Sequence, residues 1–364
     1  MGVVVNMSQG KVNAQLSSLS ASMLWCLWGR AQLSKEYSSL FYDEKAVELV
    51  EKIDYDFSAS DAPFEDIMCN ISRKVSLPEF GLFTLRAKQF DEKAKAYIAE
   101  HPYASVINIA AGLDTTFYRV DNGLIHWYDL DLPAVIDIRK QLLPEPDRVT
   151  YIAKSLLDPS WFEDVTYTED GVFMIAGGVN RVLHSFEEAQ IKQFFSMLAD
   201  NFPDGEIVFD AVSRSDDGFE AWIDRFPPEQ RDAMRAAWIG ALKDWWEKAP
   251  QNQKDKVNDM ITALKTPIKP KGKEWSDIEA WWNKLIDTEK AETSRDLMTA
   301  FRGRVGTWVP KDINEITRWD SRINVIDQFP MFKNIPRDSL SAEMRRFMDY
   351  NDGRGESSII HLRV

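Results

Sequence analysis

The stretch Val106-Ile-Asn-Ile-Ala-Ala-Gly-Leu-Asp-Thr115 decides the fold that we predict for this chain. It begins as a short apolar run, which is typical of a strand buried on both faces. It continues through small residues at Ala110–Gly112, where the lack of bulky side chains lets a ligand approach the backbone. An acid, Asp114, follows directly. A strand that ends in such a turn predicts an α/β sheet with a ligand site at its carboxyl edge.

Downstream of this stretch, short apolar runs alternate with helical segments. The first apolar run is Ser105–Ala110. The later runs are Ile125–Asp129, Thr150–Ala153, Val172–Ala176, Glu206–Phe209, Arg322–Val325 and Ser358–Val364. One helix is predicted to begin at Pro133, and another behind a capping box of Ser185 and Glu188. This alternation predicts a seven-stranded, Rossmann-like α/β sheet whose central strands are parallel.

The pattern also predicts the domain organisation. Residues 1–80 are expected to form an N-terminal helical layer, residues 81–215 and 311–364 the α/β core, and residues 216–310 an inserted helical lid or substrate subdomain. The insertion contains eight of the thirteen tryptophans. The helical spacing of Trp238, Leu242 and Trp245 predicts that most of them form its core. We expect one or two to reach a substrate.

Composition and charge exclude several classes of function. The chain has 364 residues, of which 44% are hydrophobic and 28% charged, as in ordinary globular proteins. A net charge of −14 argues against nucleic acid as a partner, and without a dense Lys/Arg run a membrane surface is also disfavoured. Two cysteines, Cys26 and Cys69, and four scattered histidines predict no metal site and favour a reducing compartment. With no signal peptide or membrane span evident, we expect a cytoplasmic protein.

The spacing of acids and glycines indicates which ligand the turn suits. Asp131 lies nineteen residues past Gly112, and an acid ~20 residues beyond such a turn can accept ribose hydroxyls. A dinucleotide-binding turn needs several glycines for its pyrophosphate. Here a single glycine precedes Asp114, whose carboxylate repels phosphate and suits a cationic ligand such as S-adenosylmethionine (SAM). An ordinary tight turn with surface acids is the alternative.

Several segments together resemble the leucine carboxyl methyltransferase family, in particular its bacterial branch of tetracenomycin-type polyketide O-methyltransferases. These segments are Leu85–Asp91, Asn108–Val120, Trp127–Pro133, Ala176–Val179, Phe329–Phe332 and the strand that contains His361. The chain departs from the family where Ala110 or Ala111 replaces a second glycine, at Thr116, where an arginine is common, and near Gly177, where the eukaryotic members have a glutamate.

The resemblance implies a class I SAM-dependent methyltransferase and assigns roles to residues. Arg86 would pair with the methionine carboxylate of SAM, and Gly112 would lie beneath the methionine part. Asp131 would bind the ribose, with Asp129 as a second candidate. The predicted cofactor-binding residues are Arg86, Gly112, Asp114, Asp129, Asp131, Ser155, Leu156 and Gly177. A solvated helix position is the alternative for Arg86.

The candidate residues for acting on the substrate are Arg181 and His184, which follow the fourth strand. Arg181 would pair with a substrate carboxylate, and His184 would act as a base for a phenolic acceptor. Both could instead be polar loop residues ahead of a helix. A carboxylate acceptor is already ionised at neutral pH and needs no base, so positioning and exclusion of water would drive its methylation.

The predicted function is therefore SAM-dependent O-methylation of a carboxylate or phenolic hydroxyl on a small molecule, such as a polyketide or other secondary metabolite. Three alternatives stay open at this point. They are a protein or peptide carboxyl methyltransferase, a nicotinamide-dependent oxidoreductase and a non-catalytic SAM-binding protein. The missing glycines argue against the oxidoreductase.

Overall fold

A computed structural model describes residues 7–8, 11–13, 18–54, 84–177, 182–212, 223, 228–286, 288–290, 292–293, 296, 313–355 and 357–364. These residues form two compact units. The first unit contains the described parts of 7–54, 84–212 and 313–364, and the second contains those of 223–296. The domain boundaries given above stay predictions.

The strands of the first unit form two sheets. Three short strands, β1 (Met7–Ser8), β2 (Lys11–Asn13) and β3 (Ile53–Asp54), make a small sheet that the sequence analysis did not predict. The large sheet contains β4 (Ser105–Ile109), β5 (His126–Asp131), β6 (Val149–Ala153), β7 (Val172–Ala176), β8 (Glu206–Val212), β9 (Asn324–Pro330) and β10 (Ser357–Arg363).

The large sheet has the order β6-β5-β4-β7-β8-β10-β9. Strands β4 to β8 are parallel, whereas β10 is antiparallel to both of its neighbours. This seven-stranded arrangement confirms the predicted class I methyltransferase fold. Because the order reverses between β4 and β7, the carboxyl ends of these two strands and of β5 border a crevice suited to a ligand.

Helices connect the strands and cover both faces of the large sheet. In chain order the described helices are α1 (Ser18–Glu36), α2 (Glu44–Lys52), α3 (Arg86–Glu100), α4 (Phe117–Val120), α5 (Pro133–Leu142), α6 (Glu188–Asn201), α7 (Pro228–Lys248), α8 (Gln251–Ala263), α9 (Trp275–Trp282), α10 (Asn314–Trp319) and α11 (Ala342–Arg354). Phe90 of α3 packs in the core on one face of the sheet, and Phe194 and Leu198 of α6 in the core on the other.

Two local predictions were wrong. Ser185 does not cap α6, because it lies in a 3₁₀ turn, Val182–Ser185, and the helix begins at Glu188. The capping box is formed instead by Glu187 and Gln190, whose side chains accept hydrogen bonds from each other's backbone N–H groups. Strand β9 begins at Asn324 rather than at Arg322 and extends to Pro330.

The second unit has its own tryptophan-rich core. Trp245, Trp246 and Trp281 are buried and pack with apolar residues that include Ile261 and Leu285. The predicted core role is therefore confirmed for these three tryptophans. Within the described part of the chain, no helix combines the length and the apolar character that crossing a membrane requires.

Candidate cofactor site

The turn after β4 adopts an unusual backbone conformation. Ala110 has a φ of 55° and Gly112 a φ of 50°, both in the left-handed region. Glycine accepts this region freely, whereas it costs an L-residue roughly 1–2 kcal/mol. The backbone N–H of Ala111 donates to the carbonyl of Leu130 at 3.1 Å. The N–H of Gly112 donates to Oδ2 of Asp131 at 2.7 Å. The turn is therefore fixed to the carboxyl end of β5.

Arg139 of α5 supports the same turn from the protein interior. Its Nη1 donates to the carbonyl oxygens of Gly112 at 3.1 Å and Asp114 at 2.8 Å. Its Nε and Nη2 donate to Oδ2 of Asp129 at 3.0 and 2.6 Å. Burial alone would lower the pKa of Arg139, but the neighbouring Asp129 holds it above its ordinary value. A single buried guanidinium thus fixes two carbonyl groups of the turn.

The two acids at the end of β5 have different surroundings. Asp129 is fully buried, and besides Arg139 it accepts hydrogen bonds from Asn108 Nδ2 and Trp127 Nε1, each at 2.9 Å. Asp131 is only partly buried. Burial raises the pKa of Asp131, although the backbone N–H groups of Gly112 and Leu132 oppose this. Asp131 is therefore the acid with surface available to a ligand.

Asp114 lies on the inner side of the turn. It accepts hydrogen bonds from Asn108 Nδ2 at 3.2 Å and from the backbone N–H of Thr116 at 3.1 Å. Burial opposes its ionisation, but Arg30, Arg119 and the hydrogen bond from Thr116 hold its pKa below the ordinary value. Asp114 is thus an ionised carboxylate inside the protein.

Arg86, at the first position of α3, lines a small cavity together with Asp114. The cavity measures about 10 Å³, room for about one water molecule, and its lining includes Cys26 and Gly177. The Nε of Arg86 is 3.4 Å from the carbonyl oxygen of Gly177 and 3.7 Å from Oδ2 of Asp210. Its Nη2 lies 3.6 Å from Sγ of Cys26. The lining of the cavity therefore includes two cations, Arg30 and Arg86, and one anion, Asp114.

Gly177 is required at this position for packing. A Cβ atom added there would lie 2.1 Å from a ring carbon of Phe90, which is buried beside it on α3. The aromatic ring thus occupies the space that any larger residue would need. Gly177 lets the end of β7 approach α3 closely enough for its carbonyl to contact Arg86.

A second arginine, Arg119, connects the N-terminal helices to the turn. Arg119 donates two hydrogen bonds to the carboxylate of Asp91, at 2.7 and 2.9 Å, and another to Asp43 at 2.7 Å. Asp43 also accepts from Arg30 Nε at 3.0 Å and from Thr115 Oγ1 at 2.6 Å. The segment that leads into α2 is therefore connected to the residues after the turn.

The sequence analysis missed Arg139, Arg119, Asp43 and Asp210. Two of them carried a usable signal. Asp43 directly precedes α2 and caps it, accepting the N–H of Ala46 at 2.9 Å. Arg139 follows Ile136 by three residues, on the buried side of an apolar helix. Nothing in the sequence indicates that Arg119 pairs with Asp91, because that contact forms only in the folded chain.

The other predicted site residues lie as follows. Ser155 and Leu156 begin two residues after the end of β6. The last residue of β6, Ala153, pairs with Asp131, so they lie at the same edge of the sheet. Leu156 is buried, and Ser155 Oγ accepts the N–H of Leu157 at 3.2 Å. His184 is partly buried in the 3₁₀ turn that follows β7. Arg181 lies outside the described residues.

A larger cavity of about 640 Å³ is lined in part by Asp43, Asp91 and Arg119 of the network described above. It lies between the 40–48 segment, α3 and α4, and none of the described site residues predicted from the sequence lines it. Two of its lysines, Lys45 and Lys88, form ion pairs with the neighbouring carboxylates of Glu48 and Glu92. Its charges thus largely neutralise one another, and we do not assign the cofactor to it.

Comparisons with known proteins show which family the chain resembles. Residues 23–164 match the leucine carboxyl methyltransferase family. The chain is 30% identical over 244 residues to the tetracenomycin polyketide synthesis O-methyltransferase TcmP of Streptomyces glaucescens, an alignment that covers 67% of this chain and 80% of TcmP. It is 25% identical over 218 residues to the SAM-dependent methyltransferase dpfgK of Gibberella zeae, covering 56% and 69%.

The solved structures that match the chain have lower sequence identity to it. A DUF574 family protein from Streptomyces avermitilis matches with a TM-score of 0.43 and 12% identity, covering 92% of this chain and 96% of that one. The plantazolicin methyltransferase BamL, solved with S-adenosylhomocysteine (SAH), matches with a TM-score of 0.39 and 9% identity, covering 95% and 98%. The similarity to TcmP and the match over residues 23–164 identify the chain as a member of the leucine carboxyl methyltransferase family of SAM-dependent enzymes.

Proposed function

We propose that this enzyme transfers the methyl group of SAM to an oxygen atom of a small-molecule carboxylate or phenol. One observation carries the cofactor part of the proposal: Arg86 and Asp114 line the same cavity, beside a turn in which the Gly112 N–H donates to Asp131. An α-amino acid carries a carboxylate and an ammonium group, and a sulfonium adds a further positive charge. The charges of Arg86 and Asp114 match this combination in sign. The cavity itself holds about one water molecule, so binding of the amino-acid part requires the lining side chains to move.

Each residue then has a distinct role in holding the cofactor. Arg86 binds the carboxylate, and Asp114 attracts the positively charged groups. Asp131 accepts the ribose hydroxyls, while Ser155 and Leu156 meet the edge and face of the adenine. Asp129 is already hydrogen-bonded within the protein, so we assign it to support of the turn. When bound, SAM supplies an electrophilic methyl group.

The acceptor determines what else the protein must do. A carboxylate is ionised at neutral pH and needs only to be positioned and shielded from water. A phenol needs its proton removed, and we propose His184 for that step. Arg181 is the proposed partner of an acceptor carboxylate. The name of TcmP favours a polyketide acceptor, and the low cysteine content favours the cytoplasm as its location.

Methyl transfer to a panel of aromatic carboxylic acids and phenols tests the proposal. Products formed from methyl-labelled SAM are identified by mass and then treated with mild alkali, which hydrolyses methyl esters but leaves aryl methyl ethers intact. Arg181→Gln should impair methylation of carboxylic acids, and His184→Gln should impair methylation of phenols. SAM binding without labelled product from any acceptor, including a metabolite extract, would contradict the proposal.

A further inference from the structure

A buried acid lies behind Arg86 on the neighbouring strand. Asp210 is 1% exposed and belongs to β8, which pairs with β7 beside the cavity. Its Oδ2 is 3.7 Å from Nε of Arg86, at an ion-pair distance that exceeds a good hydrogen bond. The contacts of Arg86 with Gly177 and Cys26, at 3.4 and 3.6 Å, are also long. Arg86 therefore has Asp210 as an anionic neighbour at ion-pair distance.

We propose that Asp210 is a positioning residue that acts through Arg86. As a counterion that is part of the protein, Asp210 weakens the binding of the cofactor carboxylate by Arg86. The inference rests on the proposed function, in which Arg86 binds that carboxylate. A buried guanidinium without an anion strongly destabilises a fold. Asp210 supplies part of this negative charge, together with Asp114, when the site holds no ligand.

The same charge opposes binding of the ligand carboxylate. Two anions that share one cation repel each other, and a buried setting screens this repulsion less than water does. SAM and its demethylated product SAH carry the same amino-acid carboxylate. A resident anion therefore limits the affinity for both molecules at the amino-acid end, which allows the product to leave after each turnover.

Comparison of two ligands isolates this effect. SAH carries the amino-acid carboxylate, whereas 5′-methylthioadenosine retains the adenosine and thioether but lacks it. We expect Asp210→Asn to tighten SAH binding in calorimetry by roughly tenfold, equivalent to about 1.4 kcal/mol, and to leave 5′-methylthioadenosine binding unchanged. A purely structural role for Asp210 would alter the affinities for both ligands together.

A matched control lies on the same strand. Glu206→Gln also changes an acid of β8 to an amide and removes an anion that pairs with His361 and Arg363. It lies four residues from Asp210, roughly 13 Å along the strand. This variant should leave both affinities unchanged. Equal changes in Asp210→Asn and Glu206→Gln would overturn the inference.

Arg86→Gln separates failure of the inference from failure of the proposed function. If Arg86 binds the carboxylate, Arg86→Gln lowers SAH affinity far more than 5′-methylthioadenosine affinity. If it lowers both equally, the assignment of Arg86 is wrong. If Arg86→Gln is selective but Asp210→Asn weakens SAH binding, leaves it unchanged or alters both ligands, only the role of Asp210 is refuted.

The stability of Asp210→Asn provides a second readout. Should this variant fail to fold without ligand, refolding is repeated in SAH or in 5′-methylthioadenosine. Recovery in SAH alone supports the inference, since the ligand carboxylate replaces the missing anion. Recovery in both ligands or in neither overturns it.

Discussion

Replacement of Arg139 by methionine tests whether a buried ion pair maintains the cofactor turn. Arg139 and Asp129 have side chains that are 2% and 0% exposed. Methionine fills a similar length of space but leaves the Asp129 carboxylate buried without its cation. Removing one partner from such a pair costs about 3–5 kcal/mol. Because domains are stable by only ~5–15 kcal/mol, this is a large fraction of the total.

The same change at an exposed pair supplies the control. Arg148 forms a bidentate ion pair with Asp121, with Nη1–Oδ1 and Nη2–Oδ2 distances of 2.7 and 2.6 Å. The side chains of Arg148 and Asp121 are, however, 31% and 23% exposed. Exposed pairs contribute about 0–1 kcal/mol. We therefore expect Arg139→Met to lower the free energy of unfolding by at least about 2 kcal/mol more than Arg148→Met does.

Urea unfolding followed by far-UV circular dichroism measures both variants, and calorimetry measures their SAH affinity. Arg139→Met should also weaken SAH binding, because the carbonyls of Gly112 and Asp114 lose their donor. The double variant Asp129→Asn with Arg139→Met removes both charges and should regain much of the stability, but not the cofactor affinity. Equal losses in Arg139→Met and Arg148→Met would refute the reasoning.

Three further predictions concern the same site. Ala110→Gly should stabilise the protein by about 0.5–1 kcal/mol in urea unfolding, because relief of the positive φ exceeds the added flexibility of the unfolded chain; a loss of stability would contradict this. Asp131→Asn should weaken SAH binding by about 1–3 kcal/mol. Burial raises the pKa of Asp131. The SAH affinity of the wild-type protein should therefore fall on acidification while the pH is still above 3.8, the ordinary pKa of aspartate. Calorimetry should show no such fall for the variant. Gly177→Ala should lower the melting temperature, with partial recovery when Phe90 is shortened to leucine; an unchanged melting temperature would show that the clash is relieved locally.

The large sheet was predictable because its strands have a local signature. Val172–Ala176 was predicted with the bounds that the structure shows, since a fully buried strand reads as an uninterrupted apolar run. The start of α6 was misplaced because Ser185 with Glu188 matches the Ser/Thr-x-x-Glu signature of a capping box. The observed box uses Glu187 with Gln190, and glutamate at the first position lies outside that signature.

The polar contacts inside the site were harder to predict from the sequence. The positions of Asp129 and Asp131, two residues apart, identified both as candidates, but their burial depends on partners that lie elsewhere in the chain. Asp129 is enclosed by Arg139, Asn108 and Trp127. In the sequence, Asp210 is recognisable only as part of an apolar strand. Its proximity to Arg86 arises because β8 approaches α3 in the folded protein.

The placement of β10 has a consequence for synthesis on the ribosome. This strand lies between β8 and β9, so β9 reaches the sheet through β10. Ser357, which pairs with Val212, is translated about 145 residues after it. At ~5–20 residues per second, the edge of β8 waits roughly 7–30 s for its partner. An open strand edge is a template for pairing with other chains, so the nascent polypeptide is most vulnerable to aggregation during that interval.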